Sequence, residues 1–156
     1  MHMSENGQRK VADWEGFKPR AYHDAGGKLT IGVGHLLTRS ELSSGKIWIQ
    51  GESVRYASGL SDRQILNLLA QDLEGAENAV NEGVEVELQQ NQFDALVSFC
   101  FNVGATAFKN STLLRRLNQG GYEEVPAQLR RWVHCRGVIV PGLVSRREHE
   151  IDLWNA

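Results

Sequence analysis

"WEGFKPRAYHDAGGKLTIGVGH", from Trp14 to His35, is the stretch on which the fold turns. Val11 and Trp14 stand one helical turn apart, so a helix is expected over about 4–17, ended near Phe17 or Lys18 by Pro19. Tyr22, Leu29, Ile31 and Val33 then favour strands, the last three with period-two alternation, and "DAGG" between them is a hairpin-turn signal. A helix running straight into a small antiparallel sheet follows, with the sheet extending weakly through "KIWIQGESVRYA".

Downstream the pattern turns helical. Ser61 and Gln64 make a capping box for a long amphipathic helix to about Asn81, carrying Ile65, Leu68, Leu69, Leu73 and Val80. Helices are also expected at about 88–102, at 111–119 behind a cap at Asn110 or Ser111, at 122–133 with Pro126 in its first turn, and at 142–154. "GVIVPGL" reads as a loop. The sum is a helix-dominated α+β domain.

The chain has 156 residues, 41% hydrophobic and 23% charged, a mix that builds a core and argues against disorder. Its net charge of −2 is unevenly spread: residues 61–90 hold seven acids against Arg63, and residues 110–156 hold seven arginines against five acids. The longest apolar run, Ala95 to Phe108, is too short to span a bilayer, so stable membrane insertion is not expected. Cys100 and Cys135 have neither CxxC nor metal-ligand spacing; Cys100 lies in the apolar run "LVSFCF" and reads as a buried thiol.

Within the opening stretch, Glu15, Asp24 and Thr30 carry chemistry. Breaking a glycosidic bond takes a proton for the leaving oxygen and an anion for the developing positive charge or the attacking water. Glu15, between Trp14 and Phe17, is placed for partial burial, which favours its protonated form; Asp24, on a polar turn, stays ionised; Thr30 offers a hydroxyl to a water. Taken singly, each also reads as a surface acid, a turn residue and a strand former.

The spacing of these three inside "EG…Y.D..G..TIGVGH" resembles the catalytic segment of the phage-type lysozymes, or endolysins, of glycoside hydrolase family 24. "TIGVGHLLTRS" is similar to the T-even enzymes; "FNVGATAFKNSTLLRRLNQG" and "GVIVPGLVSRREHEIDLW" are similar to the lambdoid ones, in the same order over about 10–156. The resemblance implies a lysozyme-like fold: a β-hairpin lobe (about 18–60), a connecting helix (about 61–82) and a helical lobe (about 84–156) with helix 4–17 packed on it. It implies a muramidase that cuts the β-1,4 bond between N-acetylmuramic acid and N-acetylglucosamine with inversion. Glu15 matches the general acid, Asp24 the carboxylate that activates water, and Thr30 the water-positioning hydroxyl. Leu36, Phe101, Asn102, Ser111 and Trp132 match substrate-binding positions, and His35 with Asp72 a structural ion pair. No cofactor or metal is implied. The expected partner is the peptidoglycan glycan strand, met by a monomer that waits in the host cytoplasm for a holin-type pore; nucleic acid is not an expected partner. The sequence departs from the lambdoid pattern at His134-Cys135-Arg136-Gly137, where relatives carry a small Ala-Gly-Gly turn.

Two other functions are open to these residues. A lytic transglycosylase needs only the acid, so Asp24 and Thr30 argue against it. A catalytically silent wall-binding module would use the C-terminal arginines, and the intact triad argues against that. A metal site has no support: the histidines form no ligand spacing, and "REHE" at 147–150 reads as ion pairs.

Overall fold

A computed structural model describes residues 1–156. The first helix, α1 (Glu5–Glu15), stops two residues before the expected end. Gly16, not Pro19, terminates it: its φ of 94° is a left-handed value that glycine adopts without a Cβ penalty, and its N–H donates to the Ala12 carbonyl. Pro19 lies within β1 (Lys18–His23), an edge strand whose register is irregular between Lys18 and Tyr22, which is where a strand tolerates a residue without an N–H.

The chain divides into two compact units, one of Gln8–Glu74 and one of Met1–Gly7 with Gly75–Ala156. The boundaries fall inside α1 and inside the long helix α3 (Asp62–Gly83), whereas the lobes expected from the sequence were 18–60 and 84–156.

In the Gln8–Glu74 unit, β1 pairs antiparallel with β2 (Leu29–Gly32), and β2 with β3 (His35–Leu36). A short helix absent from the sequence reading, α2 (Arg39–Ser44), follows behind a complete capping box of Thr38 and Glu41. The expected extension of the first sheet is instead a sheet of its own, β4 (Lys46–Ile49) against β5 (Glu52–Arg55). Gln50 and Gly51 join them with φ of 48° and 88°, a tight turn whose twist suits a hairpin. Ile31, Val33, Ile47, Ile49, Ile65, Leu68, Leu69 and Leu73 form the apolar interior, and Ser61 with Gln64 starts α3 as the sequence indicates.

In the other unit, α4 (Gln90–Val103) packs against α8 (Pro141–Trp154). Between them run α5 (Ala105–Lys109), which the sequence reading lacked, and α6 (Thr112–Asn118). The helix expected at 122–133 is a 3-10 turn (Tyr122–Glu124) followed by α7 (Val125–Leu129), with Pro126 in the first turn. The expected loop holds a small hairpin, β6 (His134–Cys135) and β7 (Val138–Ile139), turned by Arg136 and Gly137 at φ of 52° and 78°. The N-terminal residues are tied to this unit: Ser4 bonds the buried Asp94 through both its N–H and its hydroxyl, and that hydroxyl accepts the Gly7 N–H at 3.0 Å. No helix is long and apolar enough to cross a membrane.

Candidate active site

Glu15, Asp24 and Thr30 all belong to the Gln8–Glu74 unit. Glu15 is the last residue of α1 and is half-buried. The β2–β3 turn lies against it: a methyl group added at Gly34 would stand 3.4 Å from Oε2 of Glu15. Gly34 also has φ of 67°, so two independent constraints keep a side chain away from this carboxyl.

Asp24 closes the β1–β2 hairpin. Its N–H donates to the Lys28 carbonyl at 2.8 Å, and its Oδ1 accepts the N–H groups of Gly26 at 2.9 Å and Lys28 at 2.8 Å. These bonds are the reason Asp precedes Ala-Gly-Gly, and they fix the carboxylate with Oδ1 toward the turn. Oδ2 takes no part in them. Thr30 is only 2% exposed and its hydroxyl donates to the carbonyl of Lys28 at 3.1 Å. With its single proton committed, the Thr30 oxygen can offer a water only lone pairs. One residue thus holds both groups: the Lys28 N–H faces Asp24 and the Lys28 carbonyl faces Thr30. Backbone roles of this kind leave no mark on residue type, so the sequence gives no signal for Lys28.

His35 and Asp72 come together, with Nδ1 to Oδ2 at 2.8 Å. A second carboxylate, Glu41, lies on the opposite edge of the ring, Oε1 to Nε2 at 2.9 Å, while also accepting the Thr38 N–H at 2.9 Å. Burial disfavours the imidazolium, but the hydrogen bonds and charges of Asp72 and then Glu41 outweigh it and raise the His35 pKa to about 9. The signal for Glu41 in the sequence is the Thr38-x-x-Glu41 capping-box spacing, which the sequence reading lacked and which points to a helix start, not to His35.

The remaining expected contacts differ in character. Leu36, in β3, is half exposed. In the other unit, Phe101 is half-buried, and the exposed Asn102 has its Oδ1 2.6 Å from Nη2 of Arg147. Arg147 is fully buried, 2.8 Å from Glu150 and 5.1 Å over the Phe99 ring; half-buried Trp132 meets Phe99 edge-on at 5.3 Å. Ser111 takes the capping role that its place before the helix predicts. It is buried, and its hydroxyl donates to the Phe108 carbonyl and accepts the Leu114 N–H, which caps α6. In "REHE", Arg147 pairs with Glu150, and Glu148 with Arg130.

The phage lysozyme family matches residues 12–150. An endolysin of Acyrthosiphon pisum secondary endosymbiont phage 1 is 32% identical over all of this chain and 99% of its own length. An endolysin of Salmonella phage P22 is 38% identical over 99% of this chain and 98% of its own. The crystal structure of a P22 lysozyme mutant superposes with a TM-score of 0.82 at 34% identity, covering 100% of this chain and 99% of that one. The α+β, lysozyme-like fold expected from the sequence is the fold these likenesses give.

Proposed function

Since the chain belongs to the phage lysozyme family, and is a glycoside hydrolase of the lysozyme type that degrades bacterial cell wall, we propose that it cleaves the β-1,4 bond between N-acetylmuramic acid and N-acetylglucosamine with inversion. Glu15 gives its proton to the leaving glycosidic oxygen as the bond to the anomeric carbon lengthens. Asp24, through Oδ2, takes a proton from a water that attacks that carbon from the opposite face. Thr30 accepts the second proton of the same water as a hydrogen bond, which aims a lone pair at the carbon. This requires a gap of roughly 6.5–9.5 Å between the two carboxyl groups, wide enough for the water.

The observation that supports this reading most is the shared anchoring of Asp24 and Thr30 on the peptide groups of Lys28. A base and an acceptor held on one rigid turn cost no ordering when a water binds, which lowers the barrier to its attack. The exposed Asn102 serves the saccharide as a donor: Arg147 occupies Oδ1 and leaves the amide N–H groups for a carbonyl such as that of an acetamido group. Leu36, Phe101 and Trp132 supply apolar contacts to the sugar rings. The enzyme works as a monomer and reaches the wall through a holin-type pore; lysis of a host expressing it only when a pore protein is co-expressed tests that route.

Product analysis on purified peptidoglycan tests the reaction itself. Glu15→Gln is expected to lose roughly 10²–10⁴-fold in rate while still binding wall. NMR of the first-formed product is expected to show the α anomer with water added. Initial β product would refute inversion, and an anhydro product would refute hydrolysis.

A further inference from the structure

The β4–β5 hairpin shows a face that the reaction above does not use. Its register pairs Lys46 with Arg55 and Trp48 with Ser53, so these four side chains share one side of the sheet. Ile47 and Ile49 point the other way into the core, as does half-buried Val54, and the hairpin's one acid, Glu52, pairs with Ile49 on that opposite side. The outward face is therefore an indole beside a facing pair of cations. Trp48 is 62% exposed, although an indole normally sheds most of its water contact on folding. Lys46 and Arg55 oppose each other directly, an arrangement that costs a sheet stability. Both features oppose folding, and both suit a ligand that is flat on one side and anionic.

The face is also rigid. Gln71 of α3 donates Nε2 to the Trp48 carbonyl at 2.8 Å and accepts the Gln50 N–H on Oε1 at 3.0 Å. Gln50 Nε2 reaches the Asn67 carbonyl at 3.2 Å. One amide thus brackets the strand beneath Trp48 and holds it on the long helix before any partner arrives. The surrounding segment is basic: residues 18–60 carry Lys18, Arg20, Lys28, Arg39, Lys46 and Arg55 against Asp24, Glu41 and Glu52.

We propose that the outward face of the β4–β5 hairpin, Trp48 beside the Lys46–Arg55 pair, is an auxiliary docking platform for the peptidoglycan strand, separate from the residues that break the bond. The indole stacks on the apolar face of a pyranose ring, and the two cations meet the carboxylates of the lactyl-linked stem peptides. This inference rests on the wall-degrading function proposed above and adds to it a second hold on the polymer. Neutral short oligosaccharides would engage it poorly, because they offer the indole a ring and the cations nothing.

Binding of the Glu15→Gln protein to purified sacculi tests the proposal, alone and with Trp48→Ala, Trp48→Phe, or Lys46→Ser with Arg55→Ser. Trp48→Ala is expected to bind roughly tenfold more weakly, the scale of truncating an aromatic anchor, with Trp48→Phe recovering most of the loss. The double substitution is expected to weaken binding at low salt and to flatten its salt dependence. Thermal midpoints should stay within a degree or two of the parent, roughly the range for exposed substitutions. Sacculus binding unchanged in Trp48→Ala would overturn the platform. So would Trp48-dependent binding to phosphatidylglycerol vesicles with sacculus binding intact, which assigns the face to an anionic membrane. Failure of the catalytic reading registers separately, as cleavage of sacculi by the Glu15→Gln protein.

Discussion

Nδ1 of His35 lies 2.8 Å from Oδ2 of Asp72, joining the short strand β3 to the long helix α3. Glu41 grips the other ring nitrogen, so the imidazolium is held between two anions from two helices.

This clamp makes stability depend on pH. A histidine whose pKa rises from 6.5 to about 9 on folding stabilises the fold fully below pH 6.5, and the contribution fades as pH climbs through 9. The size is about 3–4 kcal/mol, from roughly 1.4 kcal/mol per pKa unit. Denaturant unfolding between pH 6 and 10 should show that loss, and Asp72→Asn should shrink it. An NMR titration placing the His35 midpoint near 6.5 would remove the basis of the expectation.

Thr30→Val keeps the shape of the side chain and removes its hydroxyl. The Lys28 carbonyl loses a donor, and the attacking water loses its acceptor. Losing a hydrogen bond of about 1–3 kcal/mol corresponds to roughly a 10- to 100-fold drop in kcat. Thr30→Ser should recover most of the rate. Equal activity in Thr30→Val and the parent would show that the hydroxyl does not hold the water.

Gly7→Ala should destabilise the protein, although alanine is the better helix former by about 1 kcal/mol. A Cβ at this position would lie 2.8 Å from Cγ of Asp94 and 2.9 Å from Cγ of Met3. Asp94 cannot simply move, because Ser4 and Gln90 hold both of its oxygens. The expected cost is about 1–3 kcal/mol of overpacking, measured by denaturant titration. A gain in stability would mean that the carboxylate yields freely.

The two thiols should separate cleanly in a disulfide-exchange assay. Cys135 is exposed on β6 and should react in the native protein. Cys100 is buried; desolvation raises its pKa to about 11 against the pull of Lys109, so it should react only on unfolding. Two thiols modified at equal rates under native conditions would contradict this burial.

What the sequence made legible was local. Glu15, Asp24 and Thr30 stand within one helix end and one hairpin, so spacing and turn chemistry could place them without tertiary information. The long helix was equally plain, because its cap and apolar stripe lie in one continuous segment. The two later hairpins were less plain for a common reason: their turns are Gln50-Gly51 and Arg136-Gly137, and neither glutamine nor arginine advertises a left-handed backbone as asparagine or aspartate would. Ser111 was legible as a cap from its place before the helix, and only the fold shows that its hydroxyl makes two bonds there. Glu41 and Lys28 act through partners that only the folded chain supplies.

The bracket formed by Gln71 makes the hairpin sensitive to the chemistry of one amide. Its amide works only while one end donates and the other accepts. Deamidation would swap the donating nitrogen for an anionic oxygen facing the Trp48 carbonyl, so a small chemical change in α3 would repel a strand 23 positions away in sequence. The Gln71→Glu protein, which carries that change from the start, should therefore loosen first at this hairpin.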